Sequence, residues 1–225
     1  MYYNMQVHSA YDLLNSTIKY ESLFSKLVKD NQKSVVIVDP NMYGAIKAYK
    51  ASKKAGIDLI QGLEVNLGYG IGFLKFNILC KSEKMFYKLL EISTKLMNGE
   101  EWTVEDFSND MIDCREDFVL IVVDELRDSM EFSYLKNLLS KYNFYFGFNE
   151  SFQVGLYSDF DNIVYTKPSF YLNKEHYQQV IVSRAIRDNK KLNIQELTTI
   201  SGEDFVREQK DFEEILALGD EELYA

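Results

Sequence analysis

Short apolar runs alternate with amphipathic segments along almost the whole chain, and this alternation constrains the fold more than any other feature. The runs Ser34–Val38 and Phe118–Val123 are rich in β-branched residues, as buried strands are. Tyr20–Lys29 and Glu83–Met97 instead place apolar residues at helical spacing. Strands alternating with helices form βαβ units, and about seven such units in a chain of this length favour a small barrel. We therefore predict an α/β fold, a distorted (β/α)7-type barrel with a parallel sheet.

Weaker segments complete the same alternation. The other predicted strands are Met5–Val7, Leu59–Val65, Phe73–Leu79, Phe144–Phe148 and Asn162–Thr166. The other predicted helices are Gly44–Lys54, Met130–Ser140 and Lys174–Arg187. Gly56 is suited to cap the first of these helices at its C-terminal end. The acidic stretch from Glu203 to Ala225 is compatible with either a docked helix or a frayed end.

The composition is that of a globular protein. With 225 residues, 46% of them hydrophobic and only two prolines, the chain can bury a substantial core, and we expect a single domain over residues 1–225. The sequence has no long apolar run and no signal-peptide pattern, so we expect a cytoplasmic protein without membrane contact. Cys80 and Cys114 are expected to be reduced thiols in that compartment.

The net charge of −10 argues against direct binding of DNA. A domain that grips DNA usually presents a basic face, whereas the field of this chain repels phosphates, so we expect DNA contact only indirectly, through a partner. Two sets of side chains receive a structural interpretation. The first is a solvated helix face, made of Lys47, Lys50, Lys53 and Lys54. The second is an aromatic packing set, made of Phe144, Tyr145, Phe146 and Phe148.

Three polar residues stand at or next to the ends of predicted strands. They are His8, Asp39 and Glu64. Because functional groups gather at the carboxyl ends of the strands in a barrel of this class, their positions indicate a site. Two of them also have a simpler interpretation. His8 suits a hydrogen-bonded position at the edge of the core, and Asp39, before Pro40, suits a turn.

Glu64 is harder to explain in this way, because a carboxylate buried in a barrel needs a partner. Lys75 stands on the next predicted strand and is a candidate for that partner. We therefore hypothesise that Lys75 and Glu64 form an ion pair.

Three segments together resemble a known family. They read MQVHSAYDLLNS over Met5–Ser16, IVDPNMYGA over Ile37–Ala45 and KAGIDLIQGLE over Lys54–Glu64. In order and spacing they are similar to PHP (polymerase and histidinol phosphatase) domains, in the form that opens the alpha subunit of bacterial replicative DNA polymerase III. Weaker echoes at Ile78–Leu90 and Val164–Lys191 extend the resemblance over nearly the whole chain.

The resemblance implies the PHP fold and a chain that is the N-terminal domain, or a fragment, of a much larger polymerase subunit. The parent is a DNA-directed DNA polymerase, a nucleotidyltransferase of chromosomal replication. The palm motif of such polymerases is absent from this sequence, so this chain by itself is not expected to add nucleotides.

The resemblance also implies a degraded metal site. Intact members hold two or three metal ions with His, Asp, Glu and Cys ligands, and the positions retained here are His8, Asp39 and Glu64. The degenerate ligand positions are Gln6, Pro40, Lys75, Pro168 and Phe170. Asp124 falls near the family's Cys position in a looser correspondence.

The replacements are chemically severe. Proline has no side-chain donor, phenylalanine is apolar, and a lysine ammonium repels a cation, whereas each catalytic ion needs three or four ligands. We therefore expect no catalytic residues and no cofactor, and any zinc, manganese or magnesium would be bound weakly.

The expected function follows from this ligand count. A degenerate PHP domain is expected to be catalytically inactive and to brace the polymerase body of the same parent chain, offering a surface to a proofreading exonuclease subunit and other replisome proteins. The alternative is a metal-dependent phosphoesterase, acting in 3′–5′ exonuclease proofreading or on pyrophosphate or histidinol phosphate. A third interpretation is a small-molecule or pyrophosphate pocket anchored by Lys75.

Overall fold

The computed structural model describes residues 3–69, 72–123, 136–149, 162–192 and 202–214. The chain forms two compact units. The first contains Met1–Asp39, Tyr43–Leu59 and Lys167–Ala225, and the second contains Pro40–Met42 and Ile60–Thr166. No helix in the described ranges combines the length and the apolar character needed to cross a bilayer.

Three longer helices and one strand provide the framework of the first unit within the described ranges. They are α1 (Tyr20–Lys29), β1 (Ser34–Asp39), α2 (Ala45–Ala55) and α5 (Tyr177–Arg187). Apolar side chains of α1, β1 and α2 pack into one core with Val7 and Val206. Gly56 ends α2 in the left-handed region, with φ of 70°, as the sequence predicts for a C-terminal cap.

The segment before the first helix runs alongside β1 without forming a full strand. Val7 makes parallel bridges to Ile37 and Ser169, so the predicted strand Met5–Val7 is reduced to a single bridged residue. Its amide donates to the Val36 carbonyl at 3.1 Å. This short pairing fixes the position of the residues that follow Val7.

Residues 203–208 form a strap across the first unit, which we call the C-terminal strap. Phe205 bridges Tyr171 in parallel, and the Val206 amide donates to the Tyr171 carbonyl at 3.0 Å. Helix follows at residues 209–214. The acidic stretch predicted as docked or frayed is therefore docked over this part, and its end, residues 215–225, lies outside the described residues.

The second unit holds most of the six-stranded sheet, whose strand order is β1-β2-β3-β4-β5-β6. Its strands are β2 (Asp58–Tyr69), β3 (Gly72–Cys80), β4 (Phe118–Val122), β5 (Phe144–Phe148) and β6 (Ile163–Tyr165). The first two residues of β2 belong to the first unit, as does β1.

The prediction of a parallel sheet is wrong for two of the strand pairs. β2 pairs antiparallel with β3, and β3 pairs antiparallel with β4, whereas β4 pairs parallel with β5 and β5 pairs parallel with β6. Only residues 70 and 71 separate β2 from β3, and so short a connection can join only antiparallel neighbours. The glycines at 68, 70 and 72 were the sequence signal for this hairpin.

Two helices of the second unit accompany the sheet, α3 (Glu83–Met97) and α4 (Val104–Met111). The sequence interpretation missed α4, although Thr103 and Asp106 form a capping box at its start. Phe107 on α4 packs edge-on against Trp102 and Phe118. Phe144 and Phe146 are buried, which confirms their packing interpretation.

The other predicted elements are placed as follows. Lys174–Arg187 begins as a 3-10 turn over Lys174–His176 and becomes α-helical from Tyr177. Met130–Ser140 lies mostly outside the described residues, and within it residues 136–139 are helical. The strand predicted over Asn162–Thr166 is shorter by one residue at each end.

Candidate functional site

Two neighbouring segments of the first unit carry four of the positions that the sequence singled out. The His8 amide donates to the Ser169 carbonyl at 2.9 Å, and the Ser169 amide donates to the Gln6 carbonyl at 2.8 Å. This pairing brings Gln6 and His8 beside Pro168 and Phe170. Gln6 and His8 are buried, whereas Pro168 and Phe170 are partly exposed. Parallel pairing of the two segments thus brings together residues that are about 160 positions apart in the sequence.

Asp39 is the last residue of β1, and it is hydrogen-bonded to Ser9, the residue that follows His8. Its Oδ1 accepts from the Ser9 amide at 2.6 Å and its Oδ2 from the Ser9 hydroxyl at 2.5 Å. The Tyr20 hydroxyl lies 3.0 Å from the same Ser9 Oγ. The carboxylate therefore joins β1 to the His8 segment, a longer-range task than the local turn that its position before Pro40 suggests.

Burial dominates the electrostatics of Asp39. It raises the pKa of the carboxyl from 3.8 to about 6, although the two bonds from Ser9 and the nearby His8 lower it. Burial and the neighbouring Asp39 charge also raise the pKa of Tyr20 above its ordinary value. Burial thus outweighs the bonds from Ser9, and Asp39 is protonated more readily than an exposed carboxylate would be.

His8 is enclosed by side chains of its own unit. Its Nδ1 lies 3.1 Å from Asp12 Oδ2, and its ring stacks on Phe170 with centroids 4.5 Å apart. The guanidinium carbon of Arg184 lies 4.5 Å from the centroid of the same Phe170 ring. Phe170, one of the degenerate ligand positions that the resemblance implies, therefore contacts an imidazole and a cation.

Asn15 links Asp12 to Arg184 by hydrogen bonds and so completes a closed network of contacts. Its Nδ2 donates to Asp12 Oδ2 at 2.6 Å, and its Oδ1 accepts from Arg184 Nε at 2.9 Å. We call the five residues the His8 cluster: His8, Asp12, Asn15, Phe170 and Arg184. Burial lowers the pKa of Arg184 from its ordinary value.

Glu64 lies in the second unit, where the predicted ion pair is present. Lys75 Nζ is 3.4 Å from Glu64 Oε1, and the Glu64 side chain is 13% exposed against 43% for Lys75. Glu64 on β2 stands opposite Asn77 on β3, so Lys75 is its diagonal neighbour on the same face of the sheet. A lysine ammonium thus lies beside the third candidate ligand.

Asn77 is fully buried next to this pair. In the part of the chain that the structure describes, its Nδ2 and Oδ1 have no hydrogen-bond partner. A buried amide without partners is destabilising by about 1–3 kcal/mol, so this position stands out from the apolar residues on either side of it.

The donors do not match the requirements of a catalytic metal pair. Within the described ranges, no group of three or more His, Cys, Asp or Glu side chains is arranged to hold an ion. Asp39 has both oxygens bonded to Ser9, and Glu64 faces the Lys75 ammonium. Asp124, the looser candidate, lies outside the described residues. The family's metal ions therefore do not fit the side chains described.

Sequence reasoning missed several residues of the site. Asp12 lies four residues after His8, and this spacing could have predicted a contact between the two side chains. Arg184 contacts Asn15 across 169 positions, a pairing that only the fold reveals. Asn77 was detectable as a polar residue inside the strand Phe73–Leu79.

Comparison with known families identifies the class of protein. The sequence profile of the PHP domain matches residues 4–195, which is most of the chain. The chain therefore belongs to the PHP domain family. The predicted α/β PHP fold is confirmed by this match and by the mixed α/β architecture.

Individual relatives show which PHP domains this chain resembles. The DNA polymerase III subunit alpha of Staphylococcus epidermidis is 25% identical over 230 residues, covering 94% of this chain. That of Mycoplasma genitalium is 33% identical over 93 residues, covering 41% of this chain. The chain spans 21% and 11% of the lengths of these relatives. This PHP domain thus resembles that of DNA polymerase III subunit alpha.

A solved structure also resembles the chain. A protein from Bifidobacterium adolescentis described as a metal-dependent phosphoesterase has a TM-score of 0.46 and 9% identity, with 96% of each chain covered.

Proposed function

We propose that this chain is the PHP domain of a bacterial DNA polymerase III alpha subunit and that it serves as a structural and interaction module, not as a phosphoesterase. The similarity to polymerase alpha subunits over 94% of the chain supports the first part. The second part depends on the chemistry of the candidate site.

The observation that carries the proposal is the ammonium of Lys75, 3.4 Å from Glu64. Two-metal hydrolysis needs ions about 4 Å apart, held by several anionic or imidazole ligands. Here the positive charge of Lys75 lies beside a carboxylate that the resemblance places among the metal ligands. The pair satisfies Glu64 without metal and opposes the approach of a cation.

The first unit supports the same conclusion independently. Phe170 supplies a ring where a nitrogen ligand is needed, and it packs on His8 at 4.5 Å. Asp39 is committed to Ser9 through both oxygens. Each retained ligand candidate therefore serves to hold the domain together.

The partners we propose follow from this role. They are the polymerase body of the parent chain first, with a proofreading exonuclease subunit and other replisome proteins as further candidates, all in the cytoplasm. DNA is reached through these partners.

A hydrolysis assay tests the proposal. The purified chain is incubated with bis-p-nitrophenyl phosphate, and separately with a 3′-labelled single-stranded oligonucleotide, in the presence of Mn²⁺, Zn²⁺ or Mg²⁺. We expect no product above that of buffer with metal alone. A metal-dependent rate that H8A and E64Q both remove, and that H176A leaves unchanged, would establish the phosphoesterase alternative instead.

A further inference from the structure

Helix α2 presents an exposed face that the proposed site does not use. It packs against its unit through small residues, since its buried positions are Ala45, Ala48 and Ser52. Its large side chains consequently point outward, and Ile46 and Tyr49 are 57% and 54% exposed. Tyr43, just before the helix, is 69% exposed. Residues three apart lie next to one another on a helix, so the apolar residues form a stripe.

Lysines lie along one side of this stripe and at its C-terminal end. We define the α2 face by seven residues: Tyr43, Ile46, Lys47, Tyr49, Lys50, Lys53 and Lys54. No acidic residue occurs between Asp39 and Asp58, although the whole chain carries a net charge of −10. Lys47 lies 3.7 Å from Glu21 of α1, and Lys53 lies 5.5 Å from the ring centroid of Tyr49. The α2 face thus combines an apolar stripe with a row of positive charges beside it.

We propose that the α2 face docks an acidic amphipathic segment of a partner protein. Apolar side chains of the segment would cover the stripe, and its carboxylates would face the lysines. Exposed tyrosines flanking an aliphatic residue are typical anchors of protein interfaces, and the adjacent positive charges select an acidic partner. The inference deepens the proposed interaction role and rests on it.

The face suits a protein better than a nucleic acid. Ile46 stands in the middle of the stripe and offers no ring on which a base could stack, unlike the aromatic platforms that bind single strands. The chain-wide negative charge also opposes a long polyanion more than a short acidic segment.

Fluorescence anisotropy with a designed peptide tests the proposal. The probe is a fluorescein-labelled peptide of about 18 residues, about five helical turns, with leucine along one face and glutamate on the others. We expect it to bind the full chain, with affinity that falls as salt rises. K50E/K53E should weaken binding about tenfold or more, because it places like charges against the glutamates. I46A/Y49A should weaken it about fivefold or more through loss of the anchors.

The matched control is K190E/K210E, which makes the same charge change at lysines whose side chains are 73% and 71% exposed. It should leave the affinity unchanged, and circular dichroism should show that all variants are folded. The proposal is overturned if the peptide does not bind, if the control weakens binding equally, or if I46A/Y49A has no effect. Equal or tighter binding of oligothymidylate with the same variant pattern would overturn it in favour of a nucleic-acid surface. The hydrolysis assay contains no peptide, so its outcome is independent of these results.

Discussion

Burial and hydrogen bonding have opposite effects on the pKa of the Asp39 carboxyl. The folded protein raises the pKa of this carboxyl from 3.8 to about 6, so the folded state binds this proton more tightly than the unfolded chain does. Its contribution to stability is therefore fully present below pH 4. It is lost as the pH rises from about 4 through about 6, and it stays lost above that range.

The substitution Asp39→Asn tests this pH dependence. Asparagine keeps an acceptor for the Ser9 amide but does not titrate. The wild-type free energy of unfolding should fall relative to that of D39N between about pH 4 and pH 6, by an amount on the order of 3 kcal/mol. Denaturant unfolding of both proteins across this range measures the difference. If the free energies of unfolding of the two proteins depend on pH in the same way, folding does not shift the pKa of Asp39.

A second residue-scale prediction concerns Asn77. Replacing it with leucine removes two buried polar atoms that have no partner among the described residues. We expect N77L to raise the free energy of unfolding by about 1–3 kcal/mol. Asn66, exposed on β2, provides the control, and N66L should change stability little. If N77L destabilises the protein instead, Asn77 is hydrogen-bonded to water or a ligand in solution.

At the scale of elements, the sequence predicted best where the chain has strong local signals. Helices Tyr20–Lys29 and Glu83–Met97 agree with the prediction at both ends, because their apolar spacing is regular. The direction of β3 was not predictable from periodicity, since parallel and antiparallel strands bury similar residues. It depends on the length of the connection to β2, for which the glycines at 68, 70 and 72 are the signal in the sequence.

The candidate site, too, could be predicted only where the sequence carries a local signal. Segment order and strand ends located His8, Asp39 and Glu64, and the opposite charges of Glu64 and Lys75 on neighbouring predicted strands led to their ion pair. The His8 cluster was not predictable, because Arg184 reaches Asn15 only after the chain has folded. Contacts so distant in sequence leave no local pattern.

The C-terminal strap gives a prediction for an element beyond residues 4–195, the range of the family match. Asn4 Nδ2 donates to the Arg207 carbonyl at 3.0 Å, and the Arg207 amide donates to Asn4 Oδ1 at 3.0 Å. N4A should lower the free energy of unfolding by about 2–3 kcal/mol, because it leaves the buried Arg207 amide without its acceptor. Chemical denaturation measures this loss. N109A, at an exposed position of α4, should change stability by less than about 0.5 kcal/mol. Equal effects of the two substitutions would contradict a structural role for the strap.

At the scale of the whole molecule, each unit uses the candidate residues that it contains in contacts within itself. The first unit packs His8 on Phe170 and ties Asp39 to Ser9, and the second pairs Glu64 with Lys75. We infer that the domain keeps the PHP fold for support and contact within a larger assembly.

The most direct test is the metal content and metal affinity of the purified chain. Elemental analysis would be followed by calorimetric titration with Zn²⁺ and Mn²⁺. K75H serves as a comparison, because it removes the ammonium beside Glu64, adds an imidazole and should bind zinc more tightly than the wild-type. The account predicts no ion in the purified wild-type protein and no tight binding on titration. Two or more tightly bound ions per chain would contradict it.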